Sequence, residues 1–252
     1  MRLILVIFIT ALSLTPCHLA FAKDNKKKIT PDDIYKTGLI AYEKKDLTTA
    51  LMLWFPNAHK NNHADSQFNL GNLFLTENDK RRNIEHAIFW LKRAASQDHA
   101  KAQSKLGHLY HEGKSVKKNT AESQKWLLKA ARNNHVASQF TLANIYLTGD
   151  GVKVNTKKAA YWFNKAASND HTEAQNSLAE MYMHGNGIYK DVKKAFDLYT
   201  KAAAKNHTNA QVNLARIYLH GLGQEKNTKK AFELFQKLAK KDNAEAQNHL
   251  GD

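Results

Sequence analysis

The sequence predicts an all-α protein, a right-handed α-solenoid of stacked antiparallel helix pairs, and three recurrences predict it. Glutamine returns every 36 residues, at Gln67, Gln103, Gln139, Gln175, Gln211 and Gln247. All four tryptophans keep the same step, at Trp54, Trp90, Trp126 and Trp162. An aromatic residue keeps it too, at Phe74, Tyr110, Tyr146, Tyr182 and Tyr218. A fixed period of this length is typical of repeat proteins in which each unit packs on its neighbours.

Each unit of 36 residues reads as two helices. Gln103, Leu106 and Tyr110 are spaced i, i+3 and i+7, which places them on one face of a first helix. Trp126 and Ala130 are spaced i, i+4 on a second helix. Two helices of about 12–14 residues and two turns fill the period. Alanine pairs recur near the end of the second helix, so we expect neighbouring helices to approach closely.

Glycine, asparagine and aspartate predict where the helices end. The turn after the first helix contains Gly149, Gly185 or Gly221, and glycine adopts the positive φ that closes a helix at low cost. The turn between units has Asn or Asp before a histidine, and these residues tolerate left-handed backbone best after glycine. We therefore expect left-handed backbone at Asn62, Asp98, Asn134, Asp170, Asn206 and Asp242.

The segment Ala100–Ala131, AKAQSKLGHLYHEGKSVKKNTAESQKWLLKAA, resembles a Sel-one-like repeat, a relative of the tetratricopeptide repeat. The pattern is Ala-x-x-Gln-x-x-Leu-Gly-x-x-Tyr-x-x-Gly, a lysine-rich turn and an Ala-x-x-Trp-x-x-Lys-Ala-Ala helix, and it fits five consecutive units. The resemblance implies an α-solenoid that binds other proteins. The chain departs from the pattern at TENDKRR (residues 76–82), which replaces the glycine turn, and at Leu198 and Leu234, which replace Trp.

These patterns divide the chain into segments. The predicted segments are a signal peptide (1–22), a basic linker (23–31), a tetratricopeptide-like helix pair (32–62), five Sel-one-like repeats (63–242) and a partial repeat or C-terminal cap helix (243–252). Within the first helix pair, Pro56 should end or kink the second helix because proline lacks a backbone N–H.

The N-terminus predicts export. Arg2 precedes an apolar run, LILVIFITALSL, that is too short to span a bilayer, and Ala20–Ala22 fits a cleavage site. Cleavage after Ala22 would remove Cys17, the one cysteine of the sequence, so the mature chain would lack disulfides. Two alternatives stay open, an uncleaved membrane anchor and a lipid on Cys17. We expect a periplasmic or secreted protein that is not an integral membrane protein once the signal peptide is removed.

The chain is strongly basic, with 38 Lys and Arg against 23 Asp and Glu and a net charge of +15. Lysine recurs near the end of each second helix, where a cation interacts favourably with the helix dipole. Lysine pairs also recur in the turn that leads into that helix, at 157–158, 193–194 and 229–230. For an exported protein this charge favours an acidic protein or an anionic envelope component over nucleic acid. A solvated lysine coat without a partner is the alternative.

No motif in the sequence predicts catalysis, a cofactor or a metal. Histidine recurs every 36 residues from His63 to His207, but equivalent residues of stacked units lie on the order of 10 Å apart, too far to share one ion. We expect these histidines to cap or pack the turns. His108, His111 and Glu112 could approach one ion, but no further ligand is evident. Without a recognisable nucleophile and base, we expect a protein that is not an enzyme. A hydrolase acting on cell-wall or β-lactam substrates is the alternative.

The expected binding site is the concave groove of the stack. The first helices line the concave side in tetratricopeptide-like stacks, and here their outward positions vary from unit to unit while the packing positions do not. The predicted partner-binding residues are Phe68, Asn72, Lys101, Ser104, His108, His111, Phe140, Asn144, Glu173, Asn176, Glu180, Met183 and Arg216. Phe68, Phe140 and Met183 are the expected apolar contacts. The resemblance implies a protein or peptide ligand, and a role in envelope assembly or host-cell contact.

Overall fold

A computed structural model describes residues 28–76, 82–240 and 243–251. The regular elements of these residues are all α-helices. The chain divides into two compact units, one ending at His63 and the other beginning at Ala64. Within each unit, every described helix packs against the next one along the chain. The all-α fold of consecutive helix pairs is therefore confirmed, while the predicted signal peptide (1–22) lies outside the described residues.

The first unit contains one described helix pair, α1 (Pro31–Glu43) and α2 (Leu47–Lys60). Thr30 and Asp33 begin α1 with a capping box, in which each side chain accepts a hydrogen bond from the backbone N–H of the other residue. Asp46 begins α2, and its carboxylate accepts the N–H of the third residue of the helix. The cap residues Thr30 and Asp46 thus determine where the two helices begin.

Pro56 was expected to end or kink α2; it does not end the helix, which continues to Lys60, and the kink stays a prediction. Proline removes one backbone N–H and therefore one hydrogen bond within the helix. Packing on both sides of the proline holds the helix in place. Trp54 and Asn57 are both buried, and Nδ2 of Asn57 donates to the carbonyl of Pro31 at 2.9 Å. Tertiary contacts here outweigh the local preference of one residue.

The described part of the second unit contains five helix pairs and a last helix. The first helices of the pairs are α3 (Ala64–Leu75), α5 (Ala100–Glu112), α7 (Val136–Thr148), α9 (Thr172–His184) and α11 (Thr208–His220). The second helices are α4 (Ile84–Ala95), α6 (Thr120–Arg132), α8 (Thr156–Ser168), α10 (Val192–Ala204) and α12 (Thr228–Ala239), and α13 (Ala244–Gly251) follows. Residues 36 apart occupy equivalent positions, so a contact seen in one repeat can be compared with its equivalents in the others.

The tryptophans lie in the packing faces between helices. Trp90, Trp126 and Trp162 are all buried, as their common step predicts. One apolar cluster joins Leu91 of α4, Leu106 of α5 and Trp126 of α6, so it passes from one helix pair into the next. Alanines near the ends of the second helices are buried as well, which allows the close approach that the sequence predicts. Clusters of buried apolar residues therefore cross the boundaries between repeats.

A small residue marks the closest approach of the two helices in each repeat. In α5 this residue is Gly107, where an added Cβ would lie 2.6 Å from Cγ of Leu127. The next repeat has Ala143 at this position, in the same core cluster as the flat ring of Phe163. Two later repeats also combine alanine with an aromatic residue, as Ala179 with Tyr199 and Ala215 with Phe235. The size of the small residue thus follows the shape of the side chain beside it.

The chain reverses through left-handed residues at the predicted positions. Gly149, Gly185 and Gly221 end their helices with φ of 77°, 73° and 68°. The residues before the recurring histidines have φ between 52° and 62°, at Asn62, Asp98, Asn134, Asp170 and Asn206. These predictions are confirmed, and the sixth residue, Asp242, lies outside the described residues.

The recurring glutamine connects neighbouring repeats. Nε2 of the buried Gln103 donates to the carbonyl of Ala95 at 3.0 Å, so α5 is tied to the last turn of α4. The same bond recurs from Gln139, Gln175 and Gln211 at 3.0–3.3 Å. The last carbonyls of a helix have no partner within it, and the amide satisfies one of them. This bond explains why glutamine keeps the 36-residue step.

Asparagine or aspartate begins each described second helix. In α8, Oδ1 of Asn155 accepts the backbone N–H of Lys158 at 2.9 Å. Equivalent caps are made by Asn83, Asn119, Asp191 and Asn227. Such a cap stabilises a helix by about 1 kcal/mol relative to alanine.

Candidate binding face of the first helices

The predicted partner-binding residues all lie on first helices, at equivalent positions. One position holds Phe68, Ser104, Phe140 and Asn176, and the position four residues later holds Asn72, His108, Asn144, Glu180 and Arg216. The other members are Lys101 and His111 of α5 and Glu173 and Met183 of α9. Spacings of three and four residues place each set on one face of its helix. We call these 13 residues the first-helix face.

The members of the first-helix face differ in exposure. The exposed members are Lys101, Glu173, Glu180 and Arg216, and the half-buried members are Phe68, Asn72, His108, His111, Phe140, Asn144 and Met183. Ser104 and Asn176 are buried, so their side chains offer little surface to a partner. The charged residues are therefore the most accessible part of this face.

The two phenylalanines of the face pack against the neighbouring repeat. The ring of Phe140 stacks on the imidazole of His171, with ring centres 4.6 Å apart, and lies 5.8 Å from the ring of Phe163. Phe68 is placed similarly against His99, at 4.9 Å. Each ring thus packs against the histidine that precedes the next first helix, and part of the ring stays exposed to solvent. Their sequence pattern indicates an exposed apolar contact, whereas the structure also gives them a packing role.

The face is basic near α5. Burial lowers the pKa of His108, and the positive charges of His111 and Lys105 lower it further against the opposing effect of Glu112. Burial also lowers the pKa of His135, the residue that precedes α7, with smaller contributions from His108 and Lys101. This part of the face therefore combines exposed lysines with two imidazoles, of His108 and His135, whose pKa the fold lowers.

The face carries both signs of charge near α9 and α11. Glu180 accepts a hydrogen bond from Nδ2 of Asn176 at 2.9 Å. Glu180 and Arg216 both act on the buried Tyr199: burial raises the pKa of its phenol, Glu180 raises it further, and Arg216 opposes them. The 36-residue step between Glu180 and Arg216 is the sequence signal that predicts their proximity. Nothing in the sequence reveals that Tyr199, on the second helix, lies close to both.

The recurring histidines cap the first helices. Nδ1 of His99 accepts the backbone N–H of Ala102 at 3.1 Å, and His135, His171 and His207 make the same bond at 3.2–3.3 Å. Their expected capping role is therefore confirmed for these four histidines, while His63 contacts Asp32 at 2.9 Å. His111 lies 3.2 Å from a carboxylate oxygen of Asp150 in the next repeat, a partner that the sequence pattern does not predict. Among the described residues, no three His, Cys, Asp or Glu side chains are grouped so that they could hold a metal ion.

One serine–histidine contact resembles a catalytic pair and is structural. Nδ1 of His135 lies 3.0 Å from Oγ of Ser138. Ser138 is completely buried, and the same Nδ1 accepts its backbone N–H as a helix cap. A substrate would not reach this hydroxyl, so the contact does not favour the hydrolase alternative.

None of the described helices combines the length and the apolar composition that crossing a bilayer requires.

Comparisons with known proteins agree with the repeat geometry. The Sel1 repeat family model matches five times in succession, at residues 64–99, 100–135, 136–171, 172–207 and 208–243. A solved structure, c5321, is described as a protective antigen present in uropathogenic Escherichia coli strains displaying an SLR fold. It is 28% identical, with a TM-score of 0.80 over 87% of this chain, which spans 48% of that protein. A Sel1 repeat protein from Oxalobacter formigenes is 31% identical, with a TM-score of 0.70 over 85% of each chain.

Comparison with curated proteins gives no significant match. The family match nevertheless covers well over half of the sequence, and its repeats coincide with the helix pairs, the glutamine ties and the left-handed turns described above. On this agreement of sequence, structure and comparison, the chain belongs to the Sel1 repeat family.

Proposed function

We propose that this protein is an exported, non-enzymatic scaffold that binds a protein or peptide along its first-helix face. Sel1 repeat proteins are generally protein–protein interaction scaffolds, and the chain belongs to that family. The observation that carries the proposal is that each first helix has buried packing positions and, beside them, exposed positions that vary between repeats. Packing positions such as Leu106 and Leu142 are completely buried, whereas the exposed positions change from Lys101 in one repeat to Glu173 two repeats later.

The arrangement suits equilibrium capture of an extended segment. Phe140 and Met183 offer partly exposed apolar surface, and apolar contacts of this kind carry much of the energy in protein interfaces. The charges around them set the direction and register of the ligand. An acidic part of the ligand would lie against Lys101 and Lys105 of α5, and a basic part against the exposed carboxylates of α9.

The proposed location is the periplasm or the exterior of the cell. The basic start, the short apolar run and the small residues at Ala20–Ala22 support export. The similarity to a protective antigen of uropathogenic Escherichia coli supports a role at the cell envelope or in contact with a host. We propose envelope assembly or host-cell contact as the setting.

Charge reversal tests the first-helix face. The double variant Glu173→Lys, Glu180→Lys changes two exposed residues of α9. Its matched control, Asp197→Lys with Glu233→Lys, makes the same change of charge at exposed positions of the second helices α10 and α12. Crosslinking pull-down from an envelope extract should recover a discrete partner with the wild type and the control but not with the face variant. Circular dichroism should show the same helicity for all three proteins.

Two results would contradict the proposal. Equal recovery by all three proteins would mean that the ligand does not contact α9. Equal loss by both variants would mean that capture depends on net charge and not on this face.

A further inference from the structure

The turns that join the first helix to the second form one continuous edge. Asp150 in the turn after α7 lies 3.2 Å from His111 and 3.8 Å from Lys118, both in the preceding repeat. In the same turn, a Cβ added at Gly151 would lie 2.5 Å from Cγ2 of Thr120. Similar close approaches bring Gly187 to Thr156 and Gly223 to Val192. Consecutive turns are therefore in direct contact. We define the turn edge as residues 113–120, 149–158, 185–194 and 221–230.

The turn edge carries a large share of the charge of the protein. It contains 12 lysines, three acidic residues and no arginine, a net charge of +9, while the whole chain has +15. The turns at the other end of the helices, residues 96–99, 132–135, 168–171 and 204–207, contain two basic and two acidic residues and are neutral overall. The charge is therefore concentrated at one end of the helix pairs.

Helix stability does not explain where these lysines lie. Lys157, Lys193 and Lys229 are exposed in the first turn of α8, α10 and α12, where the helix dipole disfavours a cation. These first turns contain no acidic residue, and of the three helices only α10 has an acidic cap, Asp191. The lysine that follows each of them lies over the tyrosine ring of the first helix, at 5.1–5.3 Å. That contact accounts for the second lysine of each pair and leaves the first one without a structural reason.

Exposed apolar side chains lie among the lysines of the same turns. Tyr189 is 97% exposed, Val154 is 53% exposed and Leu222 is 43% exposed. Each belongs to a different turn, so the apolar groups are distributed along the edge. Lysines beside exposed aromatic and aliphatic side chains are typical of surfaces that lie in the headgroup region of a bilayer.

We propose that the turn edge docks the protein on the surface of an anionic lipid bilayer. Lysine is a flexible point charge, and the edge lacks the forked arginine donors that recognise single phosphates or carboxylates with fixed geometry. A row of such charges matches a surface of many headgroups better than one folded partner. Tyr189, Val154 and Leu222 enter the headgroup layer while the lysines contact lipid phosphates. The edge lies at the helix ends, and the first-helix face lies along the helix sides and meets the edge where His111 contacts Asp150.

Binding to vesicles tests the proposal with a matched pair of variants. The chain beginning at Lys23 contains every described residue and lacks the apolar N-terminal run. It is mixed with vesicles of phosphatidylcholine and phosphatidylglycerol in equal parts, or of phosphatidylcholine alone, and sedimented. The edge variant is K157Q/K193Q/K229Q. The control, K165Q/K201Q/K237Q, removes the same charge from the last turn of the same three helices.

We expect the wild type to bind the anionic vesicles and not the neutral ones. A lysine near an anionic surface contributes about fivefold in affinity, so the edge variant should bind on the order of 100-fold more weakly. The control should keep nearly wild-type affinity. The two variants should also differ in melting temperature. The edge variant should be at least as stable as the wild type and the control less stable, because only the control loses cations from favourable helix ends.

Several outcomes would overturn the proposal. One is no binding of the wild type to anionic vesicles, and another is equal weakening by the two triple variants. Equal or tighter binding of a free polyanion, either a single-stranded oligonucleotide or polyphosphate, would assign the edge to that ligand instead. The variant Y189S keeps the charge and should bind several-fold more weakly, and unchanged affinity would refute the insertion of the apolar side chains.

Discussion

The contact between Gly107 and Leu127 allows a test of helix packing in which local and tertiary effects have opposite signs. Replacing Gly107 by alanine in the interior of α5 should stabilise the helix by about 1 kcal/mol from intrinsic propensity alone. The added Cβ, however, would lie 2.6 Å from Cγ and 2.8 Å from Cδ2 of Leu127. Carbon atoms in ordinary contact are about 3.5–4.0 Å apart. Leu127 is completely buried and would have to move by about 1 Å.

The expected change in the free energy of unfolding follows from helix propensity and steric contact. Overpacking of a buried site costs about 1–3 kcal/mol, so Gly107→Ala should be neutral to destabilising by up to about 2 kcal/mol. A Leu127→Ala background removes the contacts with Cγ and Cδ2 and leaves only the backbone N of residue 127 close to the added Cβ, at 3.2 Å, although that substitution itself costs about 2–5 kcal/mol. There the same Gly107→Ala change should stabilise by up to about 1 kcal/mol. The double-mutant cycle should therefore give a coupling of about 1–3 kcal/mol, in which the propensity term cancels.

Urea unfolding followed by circular dichroism at 222 nm (the usual wavelength for helix) measures the four proteins of the cycle. The free energy of unfolding is compared only if the slope of the transition stays constant. If Gly107→Ala has the same effect with Leu127 and with Ala at position 127, close contact between α5 and α6 does not determine the residue at position 107, and our packing argument is refuted.

Three further predictions concern the core, the histidines and the helix caps. Trp126→Ala should lower the free energy of unfolding by about 3–5 kcal/mol in urea titration, and an unchanged midpoint would contradict the packing role of the tryptophans. The fold lowers the pKa of His108 and His135, so their contribution to stability is complete above about pH 6.5 and decreases as the pH falls below it. The melting temperature should therefore decrease as the pH is lowered below about 6.5. In the variant His135→Asn, which can still cap α7, this decrease should be smaller. Asn155→Ala should cost about 1 kcal/mol by removing the cap of α8, while Asn155→Asp should cost much less on thermal denaturation.

The sequence predicts the fold well because repetition multiplies a weak signal. A single i, i+3, i+7 pattern around Gln103 is consistent with many helical folds. Recurrence at 36-residue steps requires a structure in which equivalent residues meet equivalent surroundings. The turns were predictable for a related reason, since positive φ restricts the residue type wherever it occurs. Among the described residues, Pro56 does not end its helix, and buried neighbours on the same helix there outweigh the local preference of proline.

The candidate site was less predictable, because exposure depends on the residues of other repeats. Ser104 and Phe140 occupy equivalent positions, yet one is buried and the other half-buried. The influence of Glu180 and Arg216 on Tyr199 depends on how two first helices approach one second helix. Spacing along the chain contains no information about such distances. The charge of the turn edge was visible in the sequence, but its continuity required the contacts between successive turns.

The glutamine ties have a consequence for how the molecule comes apart. Each amide bonds within its own junction, to the carbonyl of the adjacent repeat and, from Gln103 and Gln175, also to the aspartate of the turn, so these ties couple each repeat to its neighbour. A repeat with a described neighbour on each side loses two interfaces when it opens. We therefore expect the amide hydrogens of α7, α8 and α9, which have a described repeat on both sides, to exchange with solvent slowly.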